Sequence, residues 1–466
     1  LSAYQFHSSI LREYDIRGIV PETLSRTDAY WIGRGFASFI AENTHKQKPR
    51  IAVAYDGRLS SPQLEAELCK GLCESGAEVV RVGLGPTPML YFAVCTLGLD
   101  GGIMVTGSHN PPSHNGFKFM NGTKPYFGDD IQKLGSRVKA GNVVSAAGKI
   151  TDVNIKDDYI KKLVSSFTGK RSLKVAWDAG NGAAGEVMAA LCKELLGTHF
   201  PLFKKIDGNF PNHHPDPSVL KNLVDVISVV KEKGCDMGLA FDGDGDRVGV
   251  IDETGSPISG DELIAIYAAD VLKNHQGATI IADVKASQTL FDYISSQGGV
   301  PLMWRTGHSH IKNKMKEVGS PFAGEMSGHI FFADNYYGFD DGIYAAIRIL
   351  NIVAGGDVPL SKLRTCLPPT ISTPEIRFAC ADDKKFAIVE GIKTRLAAQL
   401  AQVNDIDGVR VTTQDGWWLI RASNTQAVLV ARCESTTKAG LDRLKASLQA
   451  QLEPAGLKMP EESDPH

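Results

Sequence analysis

At 466 residues the chain is too long for one hydrophobic core; domains usually run about 100–150 residues, so several are expected. The composition is that of an ordinary globular protein, 43% hydrophobic and 22% charged. A formal net charge of -3 excludes a general nucleic-acid binder, which needs a basic face, so any anionic ligand must be held by local cations. No run of about 18 apolar residues exists, and no membrane span is expected. The eight cysteines match no zinc or redox spacing, and no secretory segment opens the chain. Reduced thiols in a cytoplasmic protein are the expectation.

Tyr14-Asp15-Ile16-Arg17-Gly18 reads as a capped turn or as part of a site. Residues 26–45 read as a helix, Ile51–Tyr55 as a strand closed by Asp56-Gly57-Arg58, residues 61–75 as a helix and Glu78–Val82 as a strand. Leu84-Gly85-Pro86-Thr87-Pro88 reads as a turn. Gly102–Val105 is a buried strand leading into Thr106-Gly107-Ser108-His109-Asn110-Pro111-Pro112. The prolines stiffen that loop, and Gly107 permits a tight or left-handed backbone before the serine. Ser108 should thus stand on a rigid loop at a strand end, where open α/β sheets place ligands. Asn115–Phe119 follows closely.

The plan restarts at Leu173–Trp177, closed by Asp178 and Gly180-Asn181-Gly182, and again at Thr279–Ala282, closed by Asp283. Three strand–Asp–loop openings about 110 residues apart suggest three similar α/β units in tandem. Beyond about residue 369 the pattern changes to a helix over 384–402, strands at 409–412, 417–421 and 428–432, and a helix over 436–452. Gln414-Asp415-Gly416 is a hairpin signal. A smaller α+β domain is expected after the linker Leu367-Pro368-Pro369, and a disordered tail from Pro460.

Four stretches carry chemistry. Ser108 in its loop is the first. Phe241-Asp242-Gly243-Asp244-Gly245-Asp246-Arg247 is the second; its alternating carboxylates repel one another, which a hard cation relieves. The spacing imitates a calcium loop with Glu253 in twelfth place. Arg247 at the position that needs glycine, and strand-like flanks, oppose that reading and favour Mg²⁺. Gly324-Glu325-Met326-Ser327-Gly328-His329 is the third, with a carboxylate suited to sugar hydroxyls and an imidazole for phosphate or proton. Arg421-Ala422-Ser423-Asn424-Thr425-Gln426 is the fourth, an inventory that fits a phosphate dianion. The pairs His213-His214 and His308-Ser309-His310 lack partners at zinc spacing, and Arg305-Thr306-Gly307-His308 reads as another anion contact.

With these stretches in this order, the chain resembles the α-D-phosphohexomutase family over nearly its whole length, most closely the bacterial phosphomannomutase/phosphoglucomutase branch. The resemblance implies three tandem α/β domains with mixed, mostly parallel sheets plus a smaller C-terminal α+β domain around a central cleft. The boundaries expected are 1–150, 151–254, 255–367 and 368–466. It implies Ser108 as the phosphoserine, and Asp242, Asp244 and Asp246 with the Ser108 phosphate as Mg²⁺ ligands. Glu325 and Ser327 become sugar-hydroxyl ligands with His329 nearby, and Arg421, Ser423, Asn424 and Thr425 the phosphate clamp. Tyr14, Arg17, Lys118, Arg247, Lys285 and His308 match positions lining the cleft. Lys118 and His329 are the candidates for proton handling, with Arg17 and His308 as electrostatic partners and His109 beside the serine.

The implied activity is reversible transfer of phosphate between the 1- and 6-hydroxyls of glucose and mannose, through a hexose 1,6-bisphosphate. The expected partners are sugar phosphates, with no nucleic acid or membrane, and the protein is expected to be a monomer. Glu325-Met326-Ser327 resembles the dual-specificity branch; phosphoglucosamine mutases tend to carry Glu-Gln-Ser. The alternatives are that mutase, a metal-dependent phosphatase with Asp242 as nucleophile, and a non-catalytic sugar-phosphate or calcium-binding module.

Overall fold

The computed structural model of the chain describes residues 4–399, 401–424 and 426–460. Three sheets repeat one plan. Each is centred on a strand that ends at an aspartate: Arg50–Tyr55 before Asp56, Leu173–Asp178, and Thr279–Asp283. Each central strand pairs in parallel on both sides. The partners are Glu78–Leu84 and Gly101–Val105 in the first, Gly197–Leu202 and Met237–Phe241 in the second, and Val300–Trp304 and Phe322–Gly324 in the third. The second partner then turns back into an antiparallel strand: His114–Asn121, Val248–Asp252 and Ile330–Phe332. The three turn-backs are 106–113, 242–247 and 325–329, which are the serine, aspartate and glutamate stretches. A parallel strand needs a long crossover, whereas this last reversal needs only a loop. The repeated plan therefore puts each chemical loop at the same corner.

The first sheet is larger, with seven strands; Ile16–Ile19 lies antiparallel to His114–Asn121, setting Arg17 opposite Gly116. The C-terminal domain is an antiparallel six-stranded sheet with helices Lys385–Ala398 and Lys438–Leu452. One apolar core runs unbroken through the first three units, from Ala52 through Trp177 to Leu360. The last domain has its own, with Ile376, Trp418 and Leu448. Between them lie a small cluster of Val284, Trp417 and Leu419 and the buried Arg410, which donates to the carbonyls of Val284 and Ala286 at 2.7 Å each.

Several expectations need correction. Leu84–Pro88 is not simply a turn: a helix runs over Thr87–Thr96, with Pro86 as its N-cap. Proline suits a helix's first turn, where N–H groups have no intrahelical partner anyway. Ile16–Ile19 is an edge strand, not a turn. The helix expected over 384–402 ends at Ala398. The disordered-tail expectation falls, apart from Pro460, outside the described residues.

The second and third units are joined by a buried carboxylate. Asp341 caps helix Gly342–Ala354, accepting from the N–H groups of Ile343 at 3.0 Å and Tyr344 at 2.8 Å. Its other oxygen accepts from Tyr336 Oη at 2.7 Å and from Tyr159 Oη, of the second unit, at 2.9 Å. Burial pushes its carboxyl up to about 6, against the pull of those four donors. A raised carboxyl favours the folded state most when protonated, so its contribution falls as pH rises towards and through about 6. Asp341→Asn keeps the shape and removes the ionisation. The stability gap between variant and wild type, from urea denaturation, should move in the variant's favour by about 2–3 kcal/mol from pH 4 to pH 8. A constant gap would disprove the account.

Candidate active site

The serine loop is held by a buried pair on the neighbouring strand. Asp56 accepts from Thr106 Oγ1 at 2.7 Å, Gly107 N–H at 3.2 Å and Ser61 Oγ at 2.5 Å. Arg58, paired with Asp56, donates to four carbonyls: Ser108, Asn110 and Pro111 at 2.6 Å and His114 at 2.9 Å. A guanidinium carries five donors in a fixed fork, so one side chain satisfies the inward carbonyls of a whole turn. The left-handed residue is Ser108 itself, φ 51°, and not Gly107. Gly107 is required for space: a Cβ there would lie 2.5 Å from the Arg58 guanidinium carbon. Ser108 Oγ stands 3.1 Å from Asp242 Oδ2 and 3.2 Å from His109 Nδ1. Burial, then the nearby Arg247 and Arg17, hold His109 well below the usual imidazole range.

The aspartate loop packs backbone to backbone on this turn. A Cβ at Gly243 would sit 2.4 Å from the Ser108 carbonyl oxygen, and Gly245 takes φ 75°. That explains glycine between the carboxylates. Asp242, Asp244 and Asp246 are each 0% exposed and offer ligand atoms within 4.8 Å of one another. Lys118 Nζ donates to Asp244 at 2.7 Å and Asp246 at 2.5 Å; Thr87 Oγ1 donates to Asp244 at 2.5 Å. Burial, and then repulsion from the other two, push the Asp242 carboxyl well above the carboxylate range. For Asp244, burial is outweighed by Lys118 and Thr87, which hold it below that range. One oxygen each of Asp244 and Asp246 is buried without a donor. Crowded carboxylates with spare buried lone pairs fit a hard divalent cation. The calcium-loop position Glu253 turns away and accepts from the N–H and hydroxyl of Ser361.

The glutamate loop meets the aspartate loop directly. Arg247 and His329 face each other in an antiparallel bridge, and Arg247 Nε donates to His329 Nε2 at 2.9 Å. Glu325 accepts from Gly307 N–H and, at 3.4 Å, from the half-buried Ser327 Oγ. Burial raises its carboxyl, in part against His329. His308 opens helix His308–Val318 and stacks on His329 at 5.4 Å between ring centres. Burial, then Lys312, keep it well below the usual imidazole range.

The C-terminal domain reaches this assembly through Tyr14. Tyr14 Oη donates to the Thr306 carbonyl at 2.7 Å and accepts from Asn424 Nδ2 at 2.7 Å. Its ring occupies the place of a Gly307 side chain, 2.5 Å from where a Cβ would be. Arg421 is buried and pairs with Asp407 at 2.9 Å; Asp407 also accepts from Thr306 N–H at 3.0 Å. Ser423 Oγ accepts from Gln426 N–H at 3.2 Å. Lys285 lies 3.2 Å from Glu375 and 3.9 Å from Asp283, at the joint between third and fourth domains. Arg17 bonds Asn110 at 3.1 Å and Asp15 at 2.5 Å. Thr425, expected in the clamp, lies outside the described residues.

The histidine pair 213–214 supports the fold. His213 pairs with Asp178 at 3.0 Å, and His214 Nε2 bonds the His109 carbonyl at 2.5 Å. Among the described residues the metal-competent groups are the aspartate trio and Asp246, His329 and Asp340. Sequence reasoning missed the roles of Asp56, Arg58, Thr87, Asp340 and Asp407. Asp56 and Arg58 had a signal: a charged pair ending a buried strand must find partners in the fold. Asp407 had none.

The chain matches four family models in order: phosphoglucomutase/phosphomannomutase alpha/beta/alpha domain I over residues 8–142, domain II over 157–255, domain III over 259–370 and the C-terminal domain over 375–451. It therefore belongs to the phosphoglucomutase/phosphomannomutase family, a family of isomerases. A phosphomannomutase/phosphoglucomutase of Pseudomonas syringae pv. tomato is 48% identical over 444 residues, 95% of each chain. A phosphoglucomutase of Neisseria meningitidis serogroup A is 43% identical over 448 residues, covering 95% of this chain and 96% of that one. The crystal structure of a phosphoglucomutase/phosphomannomutase family protein from Burkholderia thailandensis superposes with a TM-score of 0.90 at 41% identity, over 98% and 99% of the two chains.

Replacing Arg58 leaves four carbonyls without the donor they share and the buried Asp56 without its charge partner. Arg58→Met should lower stability by about 3–5 kcal/mol in urea denaturation. Arg58→Lys should recover only part of the loss, because an ammonium cannot span the fork. Near-wild-type stability of Arg58→Met would contradict this role.

Proposed function

We propose that the protein interconverts hexose 1- and 6-phosphates of glucose and mannose, through a phosphorylated Ser108 and a hexose 1,6-bisphosphate. One observation carries this reading: the Ser108 hydroxyl, on a pinned loop, stands 3.1 Å from the first of three clustered buried aspartates. Asp242, Asp244 and Asp246 with a phosphoryl oxygen on Ser108 would hold Mg²⁺, which supplies Lewis-acid stabilisation of the transferring phosphoryl group. The chain's own residues do the rest. The free sugar hydroxyl attacks phosphorus; the new O–P bond forms as the Ser108 Oγ–P bond breaks. His329 takes the hydroxyl proton at Nε2, and the Ser108 oxygen takes a proton from Lys118. After the bisphosphate turns end for end, both proton movements reverse as Ser108 accepts the other phosphoryl group. The two proton carriers thus return to their starting states.

Arg17 and Arg247 line the reacting end as charge partners, with the neutral His308 ring beside them. Glu325 and Ser327 receive the equatorial 3- and 4-hydroxyls, which look alike after the turn; glucose and mannose differ only at the 2-hydroxyl. Arg421, Ser423, Asn424 and Thr425, with Tyr14 and Lys285, hold the phosphate that does not react. Two alternatives remain as outcomes. Phosphate on Asp242 in intact-mass peptide analysis would favour a phosphatase, and faster turnover of glucosamine than glucose 1-phosphate the phosphoglucosamine mutase.

Ser108→Ala should lose mutase activity by at least about a thousandfold while binding glucose 1-phosphate within about tenfold of wild type. Turnover near wild type would refute the assignment. Chelation with EDTA should abolish turnover in a coupled assay, and added Mg²⁺ should restore it.

A further inference from the structure

Asp340 has no part in the chemistry assigned above, yet it is 0% exposed and sits behind His329. Its Oδ1 accepts from Lys312 Nζ at 2.8 Å, and Lys312 lies over the Tyr91 ring, 4.4 Å from its centre. Its Oδ2 faces two imidazoles, His329 Nδ1 at 3.1 Å and His308 Nδ1 at 3.6 Å. These three atoms are buried and have no aligned hydrogen bond. Such contacts often tighten only once a reactant is seated.

The opposite ring nitrogen settles where the proton sits. Arg247 Nε donates to His329 Nε2 at 2.9 Å. A guanidinium has no acceptor, so Nε2 presents its lone pair and a neutral ring carries its proton on Nδ1. Among the described residues, the carboxylates that face that proton are Asp340 at 3.1 Å and Asp246 at 3.6 Å. Lys118 engages the other Asp246 oxygen, Oδ2; the facing Oδ1 is farther from the ring than Asp340 and belongs to the trio suited to a cation. A sugar hydroxyl is a donor like the Arg247 N–H and takes its place at Nε2.

We propose that Asp340 is a positioning residue that fixes the tautomer of His329, keeping the proton on Nδ1 and the lone pair on Nε2 for the sugar hydroxyl, and that Lys312 fixes which side of Asp340 faces the ring. The value of this arrangement to catalysis rests on His329 as proton acceptor; the tautomer itself does not.

Asp340→Asn tests it. Lys312 can only donate, so it holds the carboxamide oxygen, and the NH₂ group turns to His329 Nδ1. That nitrogen must then accept, the ring proton moves to Nε2, and it meets the Arg247 N–H. In the full-length protein with ¹⁵N-labelled histidine, His329 is identified by its absence in His329→Gln. Wild type should show a protonated Nδ1 and a bare Nε2, and Asp340→Asn the reverse. Turnover should fall by at least about a hundredfold with KM changed less than about threefold. Lys312→Met added to Asp340→Asn frees the carboxamide to turn and should recover about tenfold in kcat.

A bare Nδ1 in the wild type, which a metal bound by Asp246, His329 and Asp340 would also require, overturns the proposal without any variant. So does an unreversed tautomer in Asp340→Asn, whatever its rate. A reversed tautomer with unchanged kcat upholds the hold of Asp340 on the ring and removes His329 from the proton step.

Discussion

Three carboxylates buried side by side are the constraint around which this molecule is arranged. Water would stabilise each of them far better than a protein interior does. The chain answers with a lysine from the first unit, a threonine from a helix N-terminus and an arginine backbone amide. Even so, two oxygens keep unused lone pairs. Crowded carboxylates with spare lone pairs are what a hard divalent cation relieves. The close backbone approach of Gly243 to the Ser108 carbonyl makes the cluster and the serine one object. Neither loop can shift without the other.

The site is spread over the sequence but not over the topology. In each unit the chain leaves the sheet at the same corner, where the last parallel strand reverses into an antiparallel one. The serine, aspartate and glutamate loops are that corner three times over. The apolar core that runs through these units fixes their mutual placement. The fourth domain stands on a core of its own and meets them through the small apolar cluster of Val284, Trp417 and Leu419 and through polar contacts: Tyr14 with Asn424, Asp407 with Thr306, Arg410 with two carbonyls.

Much of this was legible in the residues. The strand–Asp openings mark the centres of the three sheets, because a buried parallel strand needs a continuous apolar run and its end needs a polar stop. The aspartate loop could be read as a cation site from repulsion alone. What could not be read was the support beneath it. Thr87 looked like part of a proline turn because prolines that start a helix resemble prolines that break one. Gly107 looked like the left-handed residue, but it answers to the closeness of Arg58, and Ser108 takes that conformation. Asp340 and Asp407 act across about 10 and 15 residues of sequence or across domains, and spacing carries no information at that range.

The shared corner has one more consequence. Each corner loop contributes its own ingredient: a hydroxyl, a set of carboxylates, or a carboxylate with an imidazole. A solitary copy of the unit would present an incomplete chemistry at its mouth. Repetition of the plan therefore gathers unlike reagents at equivalent corners while the strands beneath keep one pattern.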